Sequence, residues 1–231
     1  MAQRPVFVPR TDGQRLVEEV PITFVWHKGM APSQKKKNVL ELHEAAKAKG
    51  LHRLLEVSTK SDEKLGQRLS AFNLKVEIAG LGKVPLESAY QGSKVFSGGG
   101  PFTDLYTREA REAKKDERLK ASGSLVGFRF ADVSWGLEPK TAFYDWLYLR
   151  SLFEFSDFLQ RLFGYDGFTD IEFNPETSLN CQARSCALLV SLMKKHLLSK
   201  AVEDRETFIS ILRPDAFAQP HSQHLRQGQL L

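Results

Sequence analysis

Residues 69–96, LSAFNLKVEIAGLGKVPLESAYQGSKVF, narrow the folds open to this chain more than any other stretch. A small-residue loop, 69–74, leads toward a strand. Gly80, Gly82 and Pro85 then supply the turn chemistry of a short hairpin. A helix follows, on which Glu87, Gln91 and Lys94 fall at i, i+4 and i+7 and so share a face. Tyr90, Val95 and Phe96 give that helix its apolar contacts. A carboxylate, an amide and an ammonium converging beneath a loop that carries Ser70, Phe72 and Asn73 would hold a polar, sugar-like ligand. An ordinary charged surface helix has the same spacing.

The rest of the chain reads as elements around this segment. Val, Phe, Ile and Thr enrichment predicts strands at 4–8 and 22–26. Ser33 is a plausible N-cap for a helix over 34–49, with Gly50 as its stop. A strand over 54–59 runs into Lys60. A charged helix is expected over 105–120, a strand over 125–130 and an aromatic amphipathic helix over 140–163. A strand over 168–173 and a helix over 182–198 follow. The reading is α+β: one mainly helical domain with a small sheet. Residues 1–50 form an extension of two strands and a helix packed on the main domain, 51–213 the domain itself, and 214–231 a polar, aperiodic tail.

At 231 residues the chain can bury one sizeable core. Its net charge of +5 fits contact with an anionic ligand or nucleic acid, and equally a set of solvated lysines such as Lys35, Lys36 and Lys37. Two cysteines, Cys181 and Cys186, cannot build a disulfide framework, and no Cys/His set has zinc spacing, so neither metal nor cofactor is expected. The N-terminus lacks a signal-peptide core and no run is long enough to span a bilayer, which points to a soluble, cytoplasmic protein. Gly98, Gly99, Gly100 and Pro101 lack the ending of a nucleotide-binding P-loop and read as a helix stop. No Ser-His-Asp or Cys-His set is legible.

The blocks LSAFNL and ESAYQGSKVF resemble the two leading motifs of the NADAR family, named for NAD and ADP-ribose. In that family a Gly-Leu/Phe-Ser-Asn-Phe loop precedes a hairpin and then a Glu-x-x-x-Gln-x-x-Lys-Phe helix. Here Ala71 stands where Asn is usual and Phe96 comes one residue late. The resemblance runs from about residue 54 to 192, and its spelling is nearest to the NADAR antitoxins encoded beside DarT-type DNA ADP-ribosyltransferase toxins. It implies a NADAR-like fold and an N-glycosidase that removes ADP-ribose from guanine in DNA, with ADP-ribose as product and the cognate toxin as a possible partner. Lys60, Glu87 and Asp170, which opens D-I-E-F, are then the catalytic candidates. Ser70, Phe72, Asn73, Gln91, Lys94, Trp135, Asn180 and Gln182 are the substrate-binding ones. Trp135, between Ser134 and Gly136, is expected either to stack on a base or to pack in the core. Two other functions stay open: an N-glycosidase of small nucleotide metabolites such as riboflavin-pathway intermediates, and a non-catalytic ADP-ribose or toxin-binding module.

Overall fold

A computed structural model describes residues 1–13, 15–29 and 31–212, with the side chains of Ser156 and Asp157 left aside. The tail expected over 214–231 lies outside the described residues. Strands β1 (Ala2–Pro9) and β2 (Val17–Phe24) pair antiparallel in register along their full length, from Ala2 opposite Phe24 to Pro9 opposite Val17. β3 (Leu54–Glu56) runs parallel to β9 (Gly167–Thr169), and β9 joins β1 through Phe7 and Phe168, giving the order β2-β1-β9-β3. Strands β1 and β2 therefore share a sheet with two strands from well downstream in the chain.

Helix α1 (Pro32–Ala46) covers one face of this sheet with Val39, Leu42 and Ala46, against Val6, Ile22, Phe24 and Leu54. Its cap lies two residues earlier than expected: Ala31 is the N-cap and Pro32 fills the first turn, where a missing N–H is no loss. A 3-10 turn (Lys47–Lys49) carries it to Gly50, which ends it in the left-handed region at φ 76°. The loop expected from Gly66 begins instead as a short helix, α2 (Lys64–Arg68). Gly66 lets α2 press against the end of β3, since a Cβ there would sit 2.0 Å from the Glu56 carbonyl oxygen.

The hairpin is as expected, β4 (Lys75–Ile78) with β5 (Gly82–Pro85), and α3 (Leu86–Gly92) follows at once. α3 is buried at every position. It ends two residues short of Lys94, which opens strand β6 (Lys94–Phe96), so Lys94 is not on the helix face predicted for it. β6 forms an antiparallel meander with β7 (Leu125–Phe130) and β8 (Val133–Trp135).

The helix expected over 105–120 is broken into a 3-10 turn (Thr103–Thr107), α4 (Ala110–Lys114) and α5 (Arg118–Ala121). Asp116 explains the break: its carboxylate accepts from the Arg118 backbone N–H at 3.0 Å, a local bond that competes with helix propagation. The aromatic helix is α6 (Ala142–Leu152), after which the chain continues in short pieces including α7 (Ser156–Leu159). α8 (Gln182–Lys194) crosses the core, and α9 (Leu198–Glu203) and α10 (Arg205–Ile211) close the described chain. A buried ion pair at 2.7 Å, Arg184 to Asp145, ties the start of α8 to α6. Thr141 and Ser185 also donate to that carboxylate, so its charge is fully compensated. The result is a single α+β domain.

Candidate active site

The parallel pair β3 and β9 ends on the same side of the sheet, and the chain leaving β9 carries Asp170. A cavity of about 180 Å³ opens there, walled by α3, α6 and the start of α8. Glu87 and Gln91 enter it from α3, Phe72 from the loop after α2, and Asn180 and Gln182 from the approach to α8. Six of the residues singled out in the sequence thus meet: Glu87, Asp170, Phe72, Gln91, Asn180 and Gln182. A larger groove of about 850 Å³ lies elsewhere, beside β4 and α9, and holds none of the motif carboxylates.

Glu87 is nearly enclosed, and the Gln91 amide donates to its carboxylate at 2.8 Å one helical turn away. Asn180 donates to the Tyr90 hydroxyl at 2.6 Å, and burial pushes that phenol well above its ordinary range. Gln182 acts as a two-way clamp. Its amide oxygen accepts from the Ala71 backbone N–H at 2.7 Å, and its side chain also bonds Asp170. One residue therefore fixes the approach loop and the second carboxylate together.

Asp170 is raised to about 6, first by burial, with bonds from the Glu172 backbone N–H and Gln182 working the other way. Beneath it lies Glu56, a carboxylate that the sequence reading passed over as part of an apolar strand. Glu56 accepts from the Ser58 hydroxyl at 2.6 Å, the Thr169 hydroxyl at 2.7 Å and the Ile171 backbone N–H at 2.9 Å. Burial, and then the neighbouring Asp170, push it up to about 8. His43 completes the chain, with Nε2 at 2.8 Å from the Thr169 hydroxyl. Burial lowers His43 to about 4, so it is neutral at physiological pH. A lone carboxylate between Leu55 and Val57 was the available signal, because a buried acid in an apolar strand needs a reason to be there.

The remaining sequence candidates lie around the cavity and do not line it. Lys60 sits in the turn after β3, half-buried, its backbone N–H on the Ser58 hydroxyl at 3.1 Å. Ser70 is fully buried, and Asn73 turns back to the Gln67 carbonyl at 2.7 Å. Lys94 is buried behind the site with its ammonium 5.0 Å from the centre of the Tyr90 ring. Desolvation lowers its amine to about 8, while Glu87 opposes the shift. Trp135 requires a correction. It is 3% exposed, packed against Trp146 at 5.0 Å, Phe143 at 5.4 Å and Phe208 at 6.4 Å, so its ring is closed to a substrate base. Asp166 faces away from the site and anchors the His52 and Arg53 backbone N–H groups at 2.8 Å each.

A family profile described as DarT1-associated NADAR antitoxin matches residues 2–222. The chain belongs to that family. The match takes in the first strands as well as the motif segment, in keeping with β1 and β9 sharing a sheet. No curated protein matches the chain. The cleft in which Glu87 and Asp170 meet lies within the matched residues, and the family's name associates its members with a DarT1 toxin. Among the described residues no group of side chains has the make-up of a metal site, and no helix is long and apolar enough to cross a membrane.

Proposed function

We propose that this protein is an N-glycosidase that removes ADP-ribose from guanine in DNA, undoing the action of a partner toxin. The observation that carries the reading is the meeting of Glu87 and Asp170 in one aromatic-walled cleft, with Asp170 raised to about 6. Breaking the bond between ribose C1 and the guanine amino nitrogen sends an electron pair to that nitrogen, which must gain a proton, while C1 becomes oxocarbenium-like. Asp170, with its elevated proton affinity, suits the acid role. Glu87, oriented by Gln91, stabilises the cationic C1 and takes a proton from the attacking group.

The attacking group we assign is the amine of Lys60, which stands outside the cavity lining, leaves β3 on the side where Asp170 leaves β9, and must swing inward to reach C1. Its nitrogen bonds C1 as guanine departs, the sugar ring opens to a Schiff base, and water hydrolyses that adduct to free ADP-ribose and the amine. Incubation with an oligonucleotide carrying ADP-ribosylated guanine should restore plain DNA and release ADP-ribose. A folded sample that releases none at micromolar concentration would falsify the proposal and favour a binding role.

A further inference from the structure

The cleft has a charge problem that its motif residues do not solve. Glu87, Asp170 and Glu172 all line it, whereas an ADP-ribosyl ligand brings the two negative charges of a pyrophosphate. Lys114 is the one cation among the residues that line the cavity. It projects from α4, whose Ala110 and Ala113 are buried in the core and fix the short helix in place. Its neighbours differ from it. Arg118 is held by Asp104 at 2.7 Å and Asp116 at 2.9 Å, and Arg108 by Asp104 at 3.3 Å. Lys114 has no such carboxylate among the described residues.

Size points the same way. At about 180 Å³ the cavity is smaller than ordinary ligand pockets, which run roughly 300–1,000 Å³, so an ADP-ribosyl group must continue past its mouth. Lys114 lines the cavity and is itself exposed to solvent, so it is available to whatever continues outward. It also lies close enough to the buried Lys94 to disfavour its protonation, a like-charge strain that an anion at Lys114 would relieve.

We propose that Lys114 is the phosphate-binding group of the cleft and receives the pyrophosphate of the ADP-ribosyl ligand. This rests on the glycosidase reading, and deepens it by giving the anionic half of the substrate a partner outside the family motifs. A phosphodiester of the DNA strand offers the same chemistry, so the test must separate the two. Lys114→Gln, Lys114→Glu and Lys114→Arg are compared with wild type in three measurements: calorimetric binding of ADP-ribose, and steady-state kinetics on ADP-ribosylated guanosine and on an ADP-ribosylated oligonucleotide. The guanosine substrate has no DNA backbone.

Lys114→Gln should weaken ADP-ribose binding and raise KM on both substrates by roughly 10- to 100-fold, with kcat spared. Lys114→Glu should do more, and Lys114→Arg should keep most of the affinity. A KM effect on the oligonucleotide alone would assign Lys114 to the DNA backbone and overturn the proposal. Unchanged ADP-ribose affinity in Lys114→Gln, or no binding by wild type, would also overturn it. Wild type that binds ADP-ribose through Lys114 yet cleaves neither substrate would sink the glycosidase reading while leaving the phosphate site standing.

Discussion

Glu56→Gln is the substitution in which the buried acid network makes its sharpest demand. Glu56 has an ordinary value of 4.5 and is raised to about 8 in the fold. Between those two values the folded protein holds one more proton than the unfolded chain. Stability from this group is therefore fully present below about 4.5 and is lost as pH rises through about 8. The slope for one such proton is on the order of 1 kcal/mol per pH unit, which for a chain of this size is roughly 2–4 °C of Tm. Asp170 adds the same sign at lower pH, from its ordinary 3.8 up to about 6. His43, lowered from 6.5 to about 4, and Lys94, lowered from 10.5 to about 8, act with the opposite sign below and above, so the window from about pH 6.5 to 7.5 is the one Glu56 dominates. Glutamine cannot titrate, and the site can take it: its amide oxygen can still accept from Ile171 and Ser58, while its NH2 donates to Thr169. The O–H of protonated Glu56 is placed to donate there too, so in both proteins Thr169 turns its hydroxyl proton toward His43, whose neutral ring can accept it. Thermal melts of both proteins from about pH 6.5 to 7.5 should show wild type losing Tm steadily relative to the variant, because the other shifted groups are common to both. Parallel curves would refute the claim that Glu56 is folded in its protonated form.

Three further outcomes are expected. Glu87→Gln should cut turnover by a factor of roughly 10² to 10⁴ while leaving Tm close to wild type, read by single-turnover kinetics beside a melt. Borohydride added during turnover should trap a ribosyl adduct on Lys60, visible by mass spectrometry, and Lys60→Arg should lose both adduct and rate; substantial activity in that variant would hand the attack to water. Trp135→Ala should cost roughly 3–5 kcal/mol and lower Tm by on the order of 10 °C, whereas Trp135→Phe, which removes an indole N–H left without a partner among the described residues, should be close to neutral.

Local patterns were readable, and what depends on distant pairing was not. Glu87 and Gln91 lie one turn apart on the same short helix, so their spacing alone placed them on one face, where the structure shows the bond between them. The hairpin before them was equally plain, because Gly80 and Gly82 both take the positive φ that the turn requires. Lys94 was placed on that helix because nothing local marks Gly92 as its end. What takes the chain out of the helix is tertiary: Lys94 pairs with Phe128 as β6 joins β7. Trp135 was misleading for a similar reason. Flanking Ser134 and Gly136 suggest a loop, yet α6 and α10 bring Trp146 and Phe208 against its ring from far along the chain.

Glu56 shows where the boundary between legible and illegible lies, and why it matters for the chemistry. Its acidity is set first by burial and then by Asp170, with bonds from Ser58, Ile171 and Thr169 working the other way; all of these residues but Ser58 lie more than a hundred residues away and reach it because β3 and β9 run parallel. Parallel strands end on one side, so the two buried acids are forced together there, beyond the carboxyl ends of the strands. Two neighbouring carboxyls with little water cannot both ionise easily, and one keeps its proton near neutral pH. The deeper one, Glu56, holds the higher value and has the more enclosed hydrogen bonds, so it stays protonated and spares Asp170 a second full charge. Asp170 is raised less and lines the cleft, where a general acid has to stand. Whatever the nucleophile at C1, a shift in the pH–rate profile of Glu56→Gln without loss of Gln182-dependent loop order would place that control in the strand pair beneath the site, outside the motif helix.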